Sequence, residues 1–559
     1  MKRVALILVA IMAILARPVP AQPPFGTPQQ LQLVEATVLE LQLALRSHLI
    51  TSEQLVQMYL NRIATYDHAG PMLNSFIHIN EHALDDARAR DFDRHRGLAH
   101  GPLFGIPVLL KDNIDTAGMP TTAGSVALAG SAPPDDASIT QKLHEAGAII
   151  LGKATLTEFA NFIAIGMPAG YSSLGGYGFN PYDPRPLPGG DGRPVLTPGG
   201  SSSGPGIAVS ANLVAVGVGT ETSGSILSPG TANGVVGIKP TVGLVSRHGI
   251  LPITADQDTA GPLARTVTDA AILLGVISGY DTNDTATAAC LVPGNCQNDY
   301  TKFLNKHALR GARIAVPRVP YWNGLSAAQQ QILLDAIEAL RREGAFVADP
   351  YEIPNQTAIS AFGICTSFPA PSNCSTVLMY GQKHDLNNYL ATRPDAPVHT
   401  LADIIAFNNA HAAVALKYGQ AIFLAANQLD TSPGSADTVR YLADRAQDLA
   451  LTRTGLDAVF NGSDGIEGTD DDFDAILFPQ NRGAAAPAKA GYPSIVVPGG
   501  FVPPTGAVVN PSPFGVTFTG RAFSEPTLIA LAYAFEQSTK HRQAPASTPP
   551  LSTDLVGRP

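Results

Sequence analysis

Three residues in this chain have the types and order needed to attack a carbonyl without a histidine: Lys111, Ser201 and Ser225. Ser225 closes the run Gly219-Thr220-Glu221-Thr222-Ser223-Gly224-Ser225, and Ser201 lies 24 positions before it in Gly199-Gly200-Ser201-Ser202-Ser203-Gly204. A serine hydroxyl must lose its proton to attack, and a lysine can take that proton only if burial holds the amine neutral near working pH. The apolar stretch Leu103-Phe104-Gly105-Ile106-Pro107-Val108-Leu109-Leu110 before Lys111 offers such surroundings. The small residues Thr222, Ser223 and Gly224 can turn backbone N–H groups toward one point and let a carbonyl oxygen approach closely.

Two other patterns compete for the same chain. Gly200-Ser201-Ser202-Ser203-Gly204 fits the G-x-S-x-G elbow centred on Ser202, which needs a preceding strand and a downstream histidine such as His248, His384, His399, His411 or His541. Pro188-Gly189-Gly190-Asp191-Gly192-Arg193-Pro194 reads as a loop, so the elbow lacks its strand. His78-Ile79-Asn80-Glu81-His82 fits a short zinc-peptidase pattern. Phe76 to Ile79 reads as a strand and Asn80 as a helix cap, so the two histidines would not share a helical face. Structural roles are therefore expected for both.

The segment from Gly101 to Asn113, including Lys111-Asp112-Asn113, resembles the lysine segment of the amidase signature family. Thr197 to Thr241 is similar to the family's serine-rich signature, and the likeness extends over Gly152 to Phe159, Gly491 to Pro498, Ala534 to Gln537 and Arg542, about residues 30 to 545 in all. Within the family, the triple serine, Gly219 to Thr222, Val242 to Arg247, Ala406-Phe407-Asn408 and Gly419-Gln420 look most like peptide amidases.

The resemblance implies Ser225 as nucleophile, Ser201 as proton relay after a cis peptide bond, and Lys111 as base. It further implies an oxyanion hole from the Thr222, Ser223 and Gly224 amides, and no cofactor or metal. Ser202 is expected to support Lys111 by hydrogen bonding; Ser203 departs from the commoner glycine and receives no role. Asp112 and Asp258 are expected in supporting networks.

Many family members carry an arginine two or three residues beyond the nucleophile. Here those positions are Leu227 and Ser228, which favours an uncharged, apolar or peptide-like acyl group over a carboxylate-bearing one. The expected activity is hydrolysis of a neutral carboxamide, C-terminal peptide amides foremost. An aryl or alkyl acylamidase stands as the enzyme alternative, and a periplasmic binding protein of the same fold without turnover as the non-enzymatic one.

With 45% hydrophobic and 15% charged residues, the 559-residue chain can bury a large core. A formal charge of −10 without a Lys/Arg run argues against nucleic acid and anionic membrane as partners. Lys2 and Arg3, the apolar Val4 to Ala16 and the small residues Val19 and Ala21 read as a secretory signal over 1–21. Its apolar part is short of the ~20 residues a membrane span needs. No cysteine follows it, so no lipoprotein anchor is expected, and the localisation read is periplasmic or secreted. An oxidising compartment would let the four cysteines close locally as Cys290–Cys296 and Cys365–Cys374.

Val34 to Ile63 has helical periodicity with a second helix capped near Thr51; Ala137 to Ala146 reads as a helix, Ala148 to Leu151 and Leu213 to Val218 as strands. The expected fold is α/β, a large mixed sheet covered by helices on both faces. One amidase domain is expected over 22–545, with loop insertions at 281–300 and 460–475 and a flexible tail at 546–559. Tyr171 to Gly200 is expected to be an ordered loop lining the site. The acidic 460–475 segment spaces carboxylates between glycines but lacks the EF-hand order, and reads as a solvated loop.

Overall fold

The structure, a computed structural model, describes residues 30–557. The signal segment and the start at Gln22 lie outside the described residues.

Alternating apolar segments and helices build one mixed sheet of eleven strands flanked by helices. From edge to edge it runs Phe346–Tyr351, Arg313–Pro317, Ala475–Pro479, Ser512–Thr519, Ser494–Val502, Val236–Lys239, Thr259–Ala264, Val216–Glu221, Pro107–Lys111, Ile149–Ala154 and Phe76–Ile79. Pro107–Lys111 lies parallel to both Ile149–Ala154 and Val216–Glu221, and all three are buried along their whole length. Continuous apolar runs such as Val108-Leu109-Leu110 suit strands covered on both faces.

The helix expected to be capped near Thr51 spans Ser52–Arg62, with Thr51 and Gln54 forming a capping box; a separate helix, Val38–Arg46, precedes it. The segment expected around Ala137 forms the helix Ser138–Glu145. The strand expected to end at Val218 extends through Glu221, which carries it to the turn that bears Ser225. Asn80 does not cap a helix. Its Oδ1 accepts the His82 N–H at 2.9 Å and its Nδ2 donates to Ile150 O at 2.8 Å, so the helix Ala83–His95 starts two residues later, with His82 at the cap.

Two large apolar clusters result. One follows the sheet; the other joins the loops bearing Ala123, Phe159 and Leu251 to the helices Val377–Ala391, Leu401–Ala410 and Ala421–Asn427. The Tyr171 to Gly200 loop is tied to this helical layer: Lys417 Nζ sits 4.6 Å from the Tyr177 ring centre and donates to Asp191 O at 2.9 Å.

The C-terminal segment read as a flexible tail is ordered through Gly557. Leu555–Gly557 pairs antiparallel with Gln30–Gln32, and Asp554 meets the buried Arg62 guanidinium at 2.5 Å. Arg62 also donates to the carbonyls of Ala211, Asn212 and Thr548. A buried charge needs such partners, so the last residues complete the interior.

The loop at 281–300 contains the disulfide Cys290–Cys296, and Cys365–Cys374 forms the second bridge. In the 460–475 loop, Asp471 accepts from Ser463 N and Oγ, both at 2.6 Å, and Asp472 lies 3.5 Å from Arg521. No described helix is long and apolar enough to cross a membrane.

Candidate active site

Lys111 ends its strand fully buried, between the strands that carry Lys153 and Thr220. Its Nζ lies 2.8 Å from Ser201 Oγ, 2.8 Å from Thr220 Oγ1 and 3.3 Å from Thr220 O. No carboxylate among the described residues is within ion-pair distance, in contrast to buried Lys153, which has Asp112 at 3.4 Å, and Lys489, which has Asp448 at 2.6 Å. Burial lowers the Lys111 amine to about 7 against the opposing pull of Asp258 and Glu221. A neutral amine has two N–H bonds for the Thr220 acceptors and one lone pair left for the Ser201 hydroxyl.

The Gly200–Ser201 peptide bond is cis. Gly199, at φ +67°, packs so closely that a Cβ there would meet the Ser228 carbonyl at 2.6 Å, so a side chain would push the serine cluster off the helix Leu227–Ala232. Ser201, Ser202 and Ser203 are all fully buried. Ser203 Oγ donates to Gly199 O at 2.7 Å, a local role for the serine that stands in place of glycine.

Ser202 does not reach Lys111 directly. Its Oγ donates to Thr220 O at 3.0 Å and accepts the Thr220 N–H at 3.1 Å, and Thr220 in turn holds the amine. Asn113 Nδ2 donates to Thr220 Oγ1 at 3.1 Å and closes the same network. Thr220 and Asn113 received no role in the sequence reading. The available signal was a strand, Val216-Gly217-Val218-Gly219-Thr220-Glu221, that turns polar in its last two residues.

Ser225 sits in the turn after that strand and retains 8% exposure, while its side chain bonds to no described residue. Its carbonyl accepts the Ser202 N–H at 3.1 Å, which fixes the turn on the serine cluster. Glu221 shapes the turn from below. Its carboxylate accepts from the N–H groups of Gly224 at 2.7 Å, Ile226 at 2.7 Å and Leu227 at 3.1 Å.

The Gly224 amide is therefore engaged and does not face a substrate oxygen as expected. The N–H groups of Thr222, Ser223 and Ser225 make no hydrogen bond to another described residue. Asp258, raised by burial to about 7, holds this stretch from the side by accepting from Thr222 Oγ1 at 2.5 Å and from the backbone of Ile253 and Thr254. Arg247, near Asp258, is satisfied by a two-pronged pair with Asp284 in the 281–300 loop.

Leu227 does not line a substrate path. It is 1% exposed and packs on Ala484 and Val496, while Ser228 Oγ accepts the Gly200 N–H at 3.3 Å. The elbow alternative also fails in space, because the Ser202 hydroxyl is occupied by Thr220 rather than by any histidine. His78 lies in the strand Phe76–Ile79 and His82 caps a helix, and among the described residues no group of three or more His, Cys, Asp or Glu side chains assembles around a common point. Asp112 pairs with Lys153 and accepts from Thr122 N at 3.2 Å, a supporting position as expected.

A mixed eleven-stranded sheet carrying a buried lysine beside a serine cluster and a glycine-rich serine turn defines an amidase signature hydrolase. Residues 54–529 match the Amidase family, and the chain belongs to it. It is an enzyme that hydrolyses carbon–nitrogen amide bonds. It is similar to the peptide amidase of Stenotrophomonas maltophilia, 40% identical, with a TM-score of 0.80 over 92% of this chain and 99% of that one. An amidase family protein of Bacillus anthracis is 33% identical, with a TM-score of 0.79 over 92% of both chains. A probable amidase of Arabidopsis thaliana is 39% identical over 522 residues, 91% of each chain.

Thr220 generates a test. Thr220→Val keeps the shape but removes the Oγ1 acceptor of Lys111 and Asn113. As the base, the amine would become charged on taking up the proton, and a hydrogen bond to a charged group contributes about 1.5–3 kcal/mol, so kcat/KM on an amide should fall on the order of 10- to 100-fold. Circular dichroism should remain that of the wild type, and an unchanged rate would show that Thr220 does not position the amine.

Proposed function

We propose that this chain is an exported serine amidase that hydrolyses uncharged carboxamides, C-terminal peptide amides foremost, through Ser225, Ser201 and Lys111. The observation that carries the reading is the buried Lys111 amine, 2.8 Å from Ser201 Oγ and without a carboxylate partner among the described residues. A lysine held in that way can accept a proton at neutral pH, which an ordinary lysine cannot.

Ser225 Oγ attacks the amide carbonyl as its proton passes to Ser201 Oγ and the Ser201 proton passes to Lys111 Nζ. The carbonyl oxygen gains the negative charge, and the N–H groups of Thr222, Ser223 and Ser225, which bond to no other described residue, donate to it. Collapse of the tetrahedral adduct breaks the C–N bond, and the same chain of hydroxyls returns the proton to the departing nitrogen as ammonia leaves. Water then repeats the sequence on the Ser225 ester, releasing the carboxylate and restoring the hydroxyl. Catalytic hydrogen bonds are often long before substrate binds, and the contact of Ser225 with Ser201 belongs to the complex.

Ser225→Ala and Lys111→Ala should each abolish most ammonia release, because nucleophile and base act as a unit. For the wild type, kcat/KM should rise with pH through an apparent pKa near 7 as Lys111 loses its proton, and fall about tenfold per unit below it. Full activity in Lys111→Ala, or an optimum near pH 4, would contradict a lysine base.

The positions after the nucleophile offer no cation, and the nearby Arg247 is already paired with Asp284. In an amide panel read out by ammonia, a peptide amide with an apolar C-terminal side chain should exceed a small anionic amide such as malonamate at least about tenfold in kcat/KM. Preference for the anionic amide would overturn the substrate assignment and leave the catalytic one standing.

Export is supported by the leader-like first 21 residues and by two disulfides, which are compatible with an extracellular protein. The mature protein should begin at Gln22 and carry both bridges, measured as an intact mass without reduction. A retained N-terminus or four free thiols would refute it.

A further inference from the structure

The loop closed by Cys365–Cys374 is flanked by a two-residue strand, Gly363–Ile364, that pairs in parallel with Cys374–Ser375 and with no other described strand. In a parallel ladder, alternate residues direct both main-chain groups to the same neighbour. Cys365 N–H donates to Ser375 O at 2.9 Å, which assigns Gly363 and Cys365 to the paired side and Ile364 to the open one. The Ile364 N–H and C=O bond to no described group, and the residue is 36% exposed.

The residue before the strand, Phe362, caps the helix Gln356–Ala361. Its C=O accepts Lys489 Nζ at 2.6 Å. Lys489, Ala485 and Ala486 belong to the helix Ala485–Ala490, and together with Phe362, Gly363 and Ile364 they line a cavity of about 440 Å³. A Cβ built on Gly363 would meet nothing within 4 Å, so the strand approaches open space. The residues that lead into that helix border the nucleophile turn, since a Cβ on Gly224 would lie 3.2 Å from Asn481 Nδ2 and 3.5 Å from Ala484 Cβ. One short segment, 481–486, thus connects the turn bearing Ser225 to the cavity beside the open edge.

We propose that the Ile364 edge is the docking rail for the main chain of an extended peptide substrate, adding its residues as a strand while the C-terminal amide reaches Ser225. The Ile364 N–H donates to a substrate carbonyl and the Ile364 C=O accepts a substrate N–H; the apolar cavity walls of Tyr321, Ile359 and Phe362 receive a side chain. This rests on the peptide-amide reading and narrows it to substrates with several residues before the amide. The occupant is a peptide because the unpaired groups are one donor and one acceptor on a strand edge, the pattern a second strand satisfies and an isolated aryl or alkyl amide does not.

The experiment compares an N-acetyl amino-acid amide with N-acetyl tri- and pentapeptide amides of the same C-terminal residue. Wild type should gain about tenfold in kcat/KM with the longer chains, the scale of two net main-chain hydrogen bonds. Ile364→Pro, which removes the N–H at an edge position, should lose that gain and keep the rate on the short amide, whereas Ile364→Ala should keep the gain. Should Ile364→Pro fail to fold, single N-methylation along the pentapeptide amide tests the wild type, with the gain lost at one backbone position. Equal rates at all lengths, or a gain insensitive both to the proline and to every N-methyl group, overturn the proposal. Fluorescence anisotropy of a labelled pentapeptide amide on Ser225→Ala reads docking apart from turnover. Binding that weakens at least about tenfold on adding Ile364→Pro, but not Ile364→Ala, with no amide hydrolysed by the wild type, would retire the amidase chemistry and keep the rail.

Discussion

Keeping one amine uncharged in the centre of the protein is the constraint from which the rest of the site follows. Lowering Lys111 from its usual 10.5 to about 7 amounts to roughly 5 kcal/mol of preference for the neutral form. The sign matters for folding. Below pH 7 the amine is protonated in both folded and unfolded chains and the folded state bears the full desolvation cost; that cost is relieved as pH rises toward 10.5. A carboxylate beside Nζ would offset the cost and hold the amine protonated. The molecule instead surrounds the amine with neutral acceptors and keeps its ionisable neighbours, Asp258 and Glu221, occupied with backbone N–H groups.

Sheet register converts this constraint into geometry. Leu110 stands opposite Val218 in the parallel pair, so Lys111 and Thr220 reach the same end of adjacent strands. Glu221 follows, already beyond the strand's apolar run, and gathers the amides of the turn that carries Ser225. Three free N–H groups at a helix start need an acceptor, and a buried carboxylate supplies one without touching the reacting atoms. The serine cluster is then locked from two sides, by Ser202 on Thr220 and by Gly199 against Ser228. Lys239, lowered to about 8 by burial against the pull of Glu221 and Glu525, places a further cation near that carboxylate.

The candidate site residues Lys111, Ser201 and Ser225 were legible in the sequence because their chemistry is unusual for their surroundings: a lysine after eight mostly apolar residues, and serines flanked by glycine. The mixed sheet and its flanking helices were legible from the alternation of apolar runs and capped helices. What was not legible depends on which polar group claims which partner. Ser202 and Lys111 are both polar and both adjacent to Thr220, and only the fold reveals that the hydroxyl bonds the threonine backbone. Gly224 looked free because its small size is visible in sequence, whereas the carboxylate that captures its N–H comes from three residues earlier. The ordering of the C-terminus escaped for a similar reason. Its segment is rich in proline and serine, and the guanidinium that anchors Asp554 lies almost five hundred residues away in the chain.

The two disulfides act where the apolar core does not reach. Leu291, Val292 and Phe368 are exposed in the bridged loops, so burial alone would hold these segments weakly. Closing loops of this length restricts the unfolded chain by about 2–3 kcal/mol each in the chain-entropy account. The first closes part of the 281–300 loop that presents Asp284 to Arg247, whose guanidinium lies near Asp258. The second holds Gly363–Ile364 against Cys374–Ser375, so that one edge is paired and the other stays open toward the cavity. A two-residue ladder has too few hydrogen bonds to persist alone. The covalent closure is what allows such a short strand to keep an unpaired edge without collapsing onto its neighbours.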